Sequence, residues 1–263
     1  MLLSSKENRI VKDAAKLREK KYRDASGCFL LEGPGAVREA ASQGGRLRFI
    51  FTRAGADLPE LGIELDGQAP AVYETTEDVF AKLAGTESPQ GVVAVAEIPK
   101  WKEEDLFAGK GTNVLVLDRV QDPGNLGTLI RTAEAMGFAG ALLLKGCCDP
   151  WSPKVVRSAA GSLLRLPVLQ AEDPGAALAL LKKHGKRCWC AVMDGETACC
   201  GADLAHDCAV VIGNEGRGAC EEFLKACEGL RIPMEGRTES LNAAFAGAII
   251  MYESLRQRLA AGK

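Results

Sequence analysis

No apolar run in this 263-residue chain reaches the roughly 18 residues that cross a bilayer, so no membrane segment is predicted. The leading Met1-Leu2-Leu3-Ser4-Ser5 passes straight into charged residues, without the apolar stretch of a secretory signal, which points to a cytoplasmic protein. Ten cysteines are present, but no C-x-x-C pair. Cys188-Trp189-Cys190 and Cys199-Cys200 lack zinc-ribbon spacing, and adjacent residues such as Cys147 and Cys148 rarely chelate one metal together. The ten are therefore read as reduced thiols acting as small hydrophobes, with neither metal nor disulfide. Nucleotide signatures are missing as well. The apolar run Val114–Leu117 leads to Gly124 and Gly127, yet no third glycine completes a dinucleotide fingerprint and no P-loop lysine follows. The usual phosphate cradles are excluded. What this loop holds, and why Arg131 follows it, is left open by them.

What is present suits a packed core. Hydrophobic residues make up 47% and charged residues 26% of the chain, enough for one large or two modest domains. The net charge of −2 is unevenly spread. Residues 1–27 hold eight Lys or Arg against four acids, a local excess of +4. A basic leading segment can meet a phosphate backbone without making the whole protein basic, although a solvated surface helix has the same composition.

Ile10, Ala14 and Leu17 recur at helical spacing and predict a basic helix over about residues 5–22. Strands follow at 28–33, 47–52, 71–73 and 92–98, with helices at 35–43 and 76–83, which describes a small α/β unit. Residues 99–112 are charged, hold two glycines and lack a sustained apolar period, as a linker does. Beyond them strands are predicted at 114–118, 141–144, 166–169, 187–193, 209–213 and 230–233. Helices are predicted at 124–136, 153–163, 174–183, 221–227 and 240–259. This alternation predicts a mostly parallel sheet covered on both faces. The domain reading is a leading helix over 1–23, a smaller N-terminal α/β domain over 24–98, a linker over 99–112 and a larger α/β domain over 113–263.

Ligands of parallel sheets bind beyond the carboxyl ends of the strands. Three such ends carry unusual residues: Asp118–Asn125, then Ile212–Gly218, then Ile232–Asn242. Together and in this order they resemble the signature motifs of the SpoU/TrmH family of RNA ribose 2′-O-methyltransferases, within the SPOUT class. Asn125, Gly127, Arg131, Thr132 and Ala133 match the first motif. Gly213, Glu215 and Gly216 match the second. Ile232, Pro233, Met234, Gly236, Ser240, Leu241 and Asn242 match the third. The resemblance covers the whole chain, and residues 24–98 look like the family's ribosomal-protein-like RNA-binding domain. It implies a deep trefoil knot in the C-terminal half, an S-adenosylmethionine (SAM) pocket within it and a homodimer. It implies that Gly213, Ile232 and Leu241, with Ile212, Met234 and Gly236, bind the cofactor. It implies that Asn125, Arg131, Glu215, Ser240 and Asn242 serve catalysis.

The residues allow other readings beside these. Leu126, Leu129, Ile130, Ala133 and Met136 share one helix face, so Arg131 projects from nearly the opposite one, as a solvated arginine would. Family dimers pack along this helix, which implies that Arg131 meets ribose or phosphate there. A guanidinium stays protonated, so electrostatic stabilisation suits it better than a base role. Glu215 is equally readable as a scaffold carboxylate tying up backbone N–H groups. Ser240 also suits the N-cap of the last helix. Arg157 and Arg165 are candidates for RNA contact or for helix-surface charges. His184 and His206 match no motif and are expected at the surface.

Three functions follow as expectations. The first is SAM-dependent methylation of a ribose 2′-hydroxyl in structured RNA, with 23S ribosomal RNA favoured over transfer RNA by the leading domain. The second is a noncatalytic RNA-binding relative, against which the intact motif residues argue. The third, a nicotinamide-dependent oxidoreductase, fails on the missing glycines.

Overall fold

The structure is a computed structural model that describes residues 1–42, 46–65, 70–86, 88–108 and 112–262. Two compact units divide the chain: Met1–Lys100 with Asp149–Leu164, and Trp101–Cys148 with Arg165–Lys263. Chain order alone assigns residues 113–263 to one contiguous domain, whereas Asp149–Leu164 groups with the first unit.

In chain order the first unit contains β1 (Leu2–Leu3), α1 (Arg9–Lys16), α2 (Lys20–Ser26), β2 (Cys28–Glu32) and α3 (Pro34–Ser42). It continues with β3 (Leu47–Arg53), β4 (Ala71–Thr75), α4 (Glu77–Leu83) and β5 (Val92–Glu97). Gln43, assigned to the third helix from sequence, lies outside the described residues. The strands order as β1-β4-β3-β5-β2, with β5 antiparallel to both β2 and β3. The single leading helix expected over 5–22 is two helices. Asn8 caps α1 by accepting from Ile10 N at 2.9 Å, and Gly27 ends α2 at φ +65°. The break between them is held by Arg23, which is buried and donates to Leu17 O at 2.6 Å and Arg18 O at 2.7 Å. Those carbonyls would otherwise be orphaned at a helix end. Arg23 also pairs with Asp149. Lys12, Lys16, Lys20 and Lys21 pair with Glu7, Asp13, Asp24 and Glu19, so much of the leading positive charge is locally compensated. The segment Asp149–Leu164, which includes a helix at Pro153–Ala159, packs on β2, where the Trp151 ring lies 4.9 Å from that of Phe29.

The second unit begins with α5 (Glu103–Leu106), a short helix inside the expected linker, of which residues 109–111 lie outside the described residues. It continues with β6 (Val114–Leu117), α6 (Pro123–Ala135) and β7 (Gly140–Leu144). Counting the Pro153–Ala159 helix as α7, there follow β8 (Val168–Ala171), α8 (Pro174–Lys183), β9 (Arg187–Ala191) and β10 (Thr197–Ala198). The chain ends with β11 (Cys208–Ile212), α9 (Glu221–Ala226), β12 (Glu228–Arg231) and α10 (Ala243–Ala260). The seven strands order as β10-β12-β9-β11-β6-β7-β8, parallel in every pairing among the described residues. Strands β6, β7 and β11 are buried along their whole length, as their unbroken apolar runs require of a sheet covered on both faces. On one face Val114, Val116 and Val211 pack with Leu106, Leu181 and Phe223 of α5, α8 and α9. Each such side chain contributes about 2 kcal/mol on leaving water.

Helices α6 and α10 pack against one another. Gly247 permits this: a Cβ placed there would lie 2.3 Å from Leu129 Cδ2. The face that α10 buries is Ala244, Gly247, Ile250, Met251 and Ser254. A neighbouring apolar stripe of the same helix is largely outside: Phe245 is 68%, Tyr252 57% and Leu259 65% exposed.

Candidate active site

Strand order explains why three distant loops converge. β11 lies directly beside β6, and β12 lies two strands beyond β11, with β9 between them. All run in the same direction, so the loops after β6, β11 and β12 open on one edge of the sheet.

The first loop ends at Asp122, which caps α6 by accepting from Asn125 N at 2.8 Å. Asn125 then sits in the first turn with its amide turned toward the second loop. Its Nδ2 donates to Glu215 Oε1 at 3.1 Å. Glu215 also accepts from Gln121 N at 3.2 Å and Asp122 N at 3.0 Å. Burial acts to raise the Glu215 carboxyl. Its own backbone N–H, the Asn125 amide and the N–H groups of Asp122 and Gln121 outweigh that and hold it below the usual carboxylate range. Glu215 is therefore ionised at neutral pH, with its oxygens occupied as acceptors.

The third loop joins through Asn242. Its Nδ2 donates to Asn125 Oδ1 at 3.0 Å, while its Oδ1 accepts from Ala244 N at 2.9 Å. Asn242, not Ser240, is thus the N-cap of α10. One hydrogen-bond chain, Asn242 to Asn125 to Glu215, ties the three motifs together.

Beside it opens a cleft of about 640 Å³, large enough for a nucleoside-sized ligand. Of the residues assigned to cofactor binding, Ile212, Gly213, Ile232, Met234 and Leu241 line it, as do Glu215 and Ser240. Gly236, Asn125, Asn242 and Arg131 do not. Gly213 has no room for a side chain, since a Cβ would lie 2.2 Å from Ala219 N. Backbone therefore packs directly on backbone there, and Gly213, Gly218 and Ala219 all line the cleft. Apolar walls come from Ile212, Leu230, Ile232 and Leu241. An apolar slot lined in part by glycines fits an adenine and ribose, so these residues suit SAM.

The sequence reading missed Ala191–Asp194, at and just beyond the end of β9, which also lines the cleft. Its place follows from β9 lying between β11 and β12, a neighbourhood that chain order does not announce. Arg131 projects from α6 into solvent and, among the described residues, makes no hydrogen bond or ion pair. Arg165 forms a fork with Glu134, at 2.8 and 3.1 Å. His184 is half-buried, stacks on Phe107 with ring centroids 3.8 Å apart and meets Glu103 at 2.7 Å, away from the motifs. Burial pushes the Cys147 and Cys148 thiols up to about 11 and about 12, so neither is a ready nucleophile at the turn after β7.

A seven-stranded parallel sheet with a glycine-lined cleft at its carboxyl edge, together with a separate α/β unit, has the architecture of a cofactor- or nucleotide-binding α/β protein. The sequence matches the model of the SpoU rRNA methylase family over residues 112–252 and that of the MRM3-like substrate binding domain over residues 8–94. It is 36% identical to the 23S rRNA (guanosine(2553)-2′-O)-methyltransferase RlmP of Bacillus subtilis, covering 95% of this chain and 97% of that protein. It is 29% identical to a 23S rRNA (uridine(2479)-2′-O)-methyltransferase of Streptomyces viridochromogenes, over 98% of this chain and 92% of that one. The AdoMet-bound rRNA methyltransferase from Sinorhizobium meliloti superposes with a TM-score of 0.87 at 30% identity, covering 98% of each chain. The chain belongs to the SpoU rRNA methylase family, and it is an enzyme of the methyltransferase class.

Proposed function

We propose that this protein transfers the methyl group of SAM to a ribose 2′-hydroxyl of ribosomal RNA, within the 23S molecule. The observation that carries this reading is the Asn242–Asn125–Glu215 chain beside a cleft that suits the cofactor. Relatives named for 23S ribose methylation along nearly their full length support the substrate.

SAM when bound supplies a methyl already activated by a cationic sulfur, so positioning of the hydroxyl carries much of the remaining barrier. Ile212, Gly213, Ile232, Met234 and Leu241 would hold the cofactor, and the apolar walls would exclude water from it. Glu215 fixes the first loop against the second through three donors, which sets where Asn125 and the start of α6 stand. Ser240, exposed at the cleft, would hydrogen-bond ribose. Arg131 stabilises the developing 2′-oxyanion or positions its phosphate as a permanent cation.

Arg131 and the exposed stripe Phe245, Tyr252 and Leu259 lie on two helices that pack together. A homodimer across these helices buries the stripe and brings Arg131 to the partner's cleft, making composite sites. The trefoil knot of the class and a cytoplasmic location belong to the same reading. So does a division of labour in which residues 1–23 and 24–98 recognise RNA while residues 113–263 carry chemistry. Incubation of the protein with methyl-labelled SAM and ribosomal or transfer RNA tests the reading. Label resistant to alkaline cleavage at one 23S nucleotide is expected; label in transfer RNA instead moves the substrate, and no transfer overturns the proposal.

A further inference from the structure

The cofactor loop after β11 is a reversal. Asn214 N donates to Gly218 O at 3.0 Å and Gly218 N to Asn214 O at 2.9 Å, so residues 213–219 close on themselves and bring Ala219 back over Gly213. Something must set where the returning arm stops, because all seven residues from Gly213 to Ala219 line the cleft. That arm is caught by Asp118, the residue immediately after β6. Its side chain is 2% exposed, and Oδ2 accepts from Cys220 N at 2.7 Å.

The neighbouring Arg119 completes the clamp. It stands at φ +58°, a left-handed conformation that a non-glycine residue adopts only when its surroundings enforce it. Two contacts enforce it. The guanidinium folds back on Asp118, with Nε 2.8 Å from Oδ1 and Nη2 3.0 Å from Oδ2. The Arg119 carbonyl accepts from Asn214 Nδ2 at 2.8 Å. The bend at Gly146 leaves room for this side chain, since a Cβ there would lie 2.9 Å from Arg119 Cγ. The buried carboxylate is thus fully engaged, by a fork from one side and a backbone N–H from the other. The Asp118 carboxylate fixes the returning arm (Cys220), and the Arg119 carbonyl the outgoing arm (Asn214), of the cofactor loop to the end of β6.

We infer that Asp118, with Arg119, is a positioning residue for the cofactor: it touches no reactant and sets the width of the glycine-lined slot. This rests on the methyltransferase reading. An asparagine at 118 cannot accept from Cys220 N and from the Arg119 fork together, because its amide nitrogen turns a donor toward a donor. With its carbonyl oxygen in the Oδ2 place, Asp118→Asn keeps the Cys220 N bond but loses the charge and the Nε bond of the fork, which loosens the clamp on the returning arm. The expected result in full-length protein is a rise in KM for SAM, and in SAM Kd by calorimetry without RNA, of about tenfold, the effect of losing one charge-assisted hydrogen bond. The kcat at saturating SAM and the KM for ribosomal RNA stay within about threefold, since Arg131, Asn125 and Ser240 are undisturbed. A purely structural role instead lowers the melting temperature and leaves both SAM constants at the wild-type value, which overturns the inference. Should Asp118→Asn fail to fold, Arg119→Gln keeps the Cys220 N bond and removes the fork. A SAM KM unchanged in Arg119→Gln overturns the inference equally. Failure of the wild-type chain itself to bind SAM overturns the methyltransferase reading and this inference together, whereas wild-type binding with unaltered variants overturns the inference alone.

Discussion

Asn242 Nδ2 donates to Asn125 Oδ1 across 3.0 Å, although the two residues are 117 positions apart in the chain. Each amide also makes a second bond, since Asn125 Nδ2 holds Glu215 and Asn242 Oδ1 caps α10. The two side chains therefore fix the start of α6 and the start of α10 to one another and to the second loop. Asn125→Asp keeps the size but turns a carboxylate toward the Glu215 carboxylate, which like charges oppose. Methyl transfer is expected to fall by roughly two orders of magnitude or more, with a stability loss of about 1 kcal/mol from the broken bonds. Single-turnover kinetics and denaturant unfolding check the two parts separately.

Glu215 links loop stability to pH. Its folded carboxyl is held below the ordinary value of 4.5. The contribution of an acid depressed in this way is fully present above its unfolded value and is lost as pH falls through the folded one. The melting temperature of the wild type should therefore drop more steeply below about pH 4.5 than that of Glu215→Gln. Parallel curves for the two proteins between pH 3 and 7 would show that the carboxylate is not a stabilising link.

Arg131 is exposed, and among the described residues nothing in its own subunit pairs with it. Arg131→Ala should therefore leave the melting temperature unchanged and SAM affinity within a few-fold. Its effect is expected on kcat, a loss on the order of 10² or more for removing a charge aimed at the transition state. Wild-type turnover by the purified variant would remove Arg131 from the mechanism.

Much of the site was legible because its parts are local. Apolar runs such as Val114–Leu117 and Val210–Ile212 mark buried parallel strands, and unusual loop residues at their carboxyl ends mark the binding edge. What sequence did not carry is neighbourhood. The Ala191–Asp194 wall became visible only with β9 seated between β11 and β12. The break after Leu17 depends on the buried Arg23, whose partner Asp149 is 126 residues away, and no helical periodicity reports such a bond. The start of α10 at Asn242 instead of Ser240 was a choice between two capable caps, decided by where Asn125 stands. The segment Asp149–Leu164 was assigned by chain order to the second domain, yet Trp151 packs on Phe29. Deletion of residues 1–97 would accordingly strip that segment of the sheet it covers.

The last expectation separates the two faces of α10. A helix stripe that carries Phe245 at 68%, Tyr252 at 57% and Leu259 at 65% exposure is costly to leave in water, and contiguous apolar patches of this kind mark interaction sites. The inner face is different: a side chain at Gly247 would run into Leu129 of the same subunit, so its tolerance reports packing within one chain. Tyr252→Glu should therefore convert a dimer, about twice the 27.9 kDa chain by light scattering, into a folded monomer with its melting profile retained. Gly247→Leu should instead destabilise each subunit by roughly 1–3 kcal/mol through overpacking, whatever its assembly state. If the cleft needs Arg131 from a partner, the Tyr252→Glu monomer binds SAM but transfers methyl slowly. Full turnover by that monomer at assay concentration would mean that the exposed stripe serves some other contact and that Arg131 acts, if at all, within its own subunit.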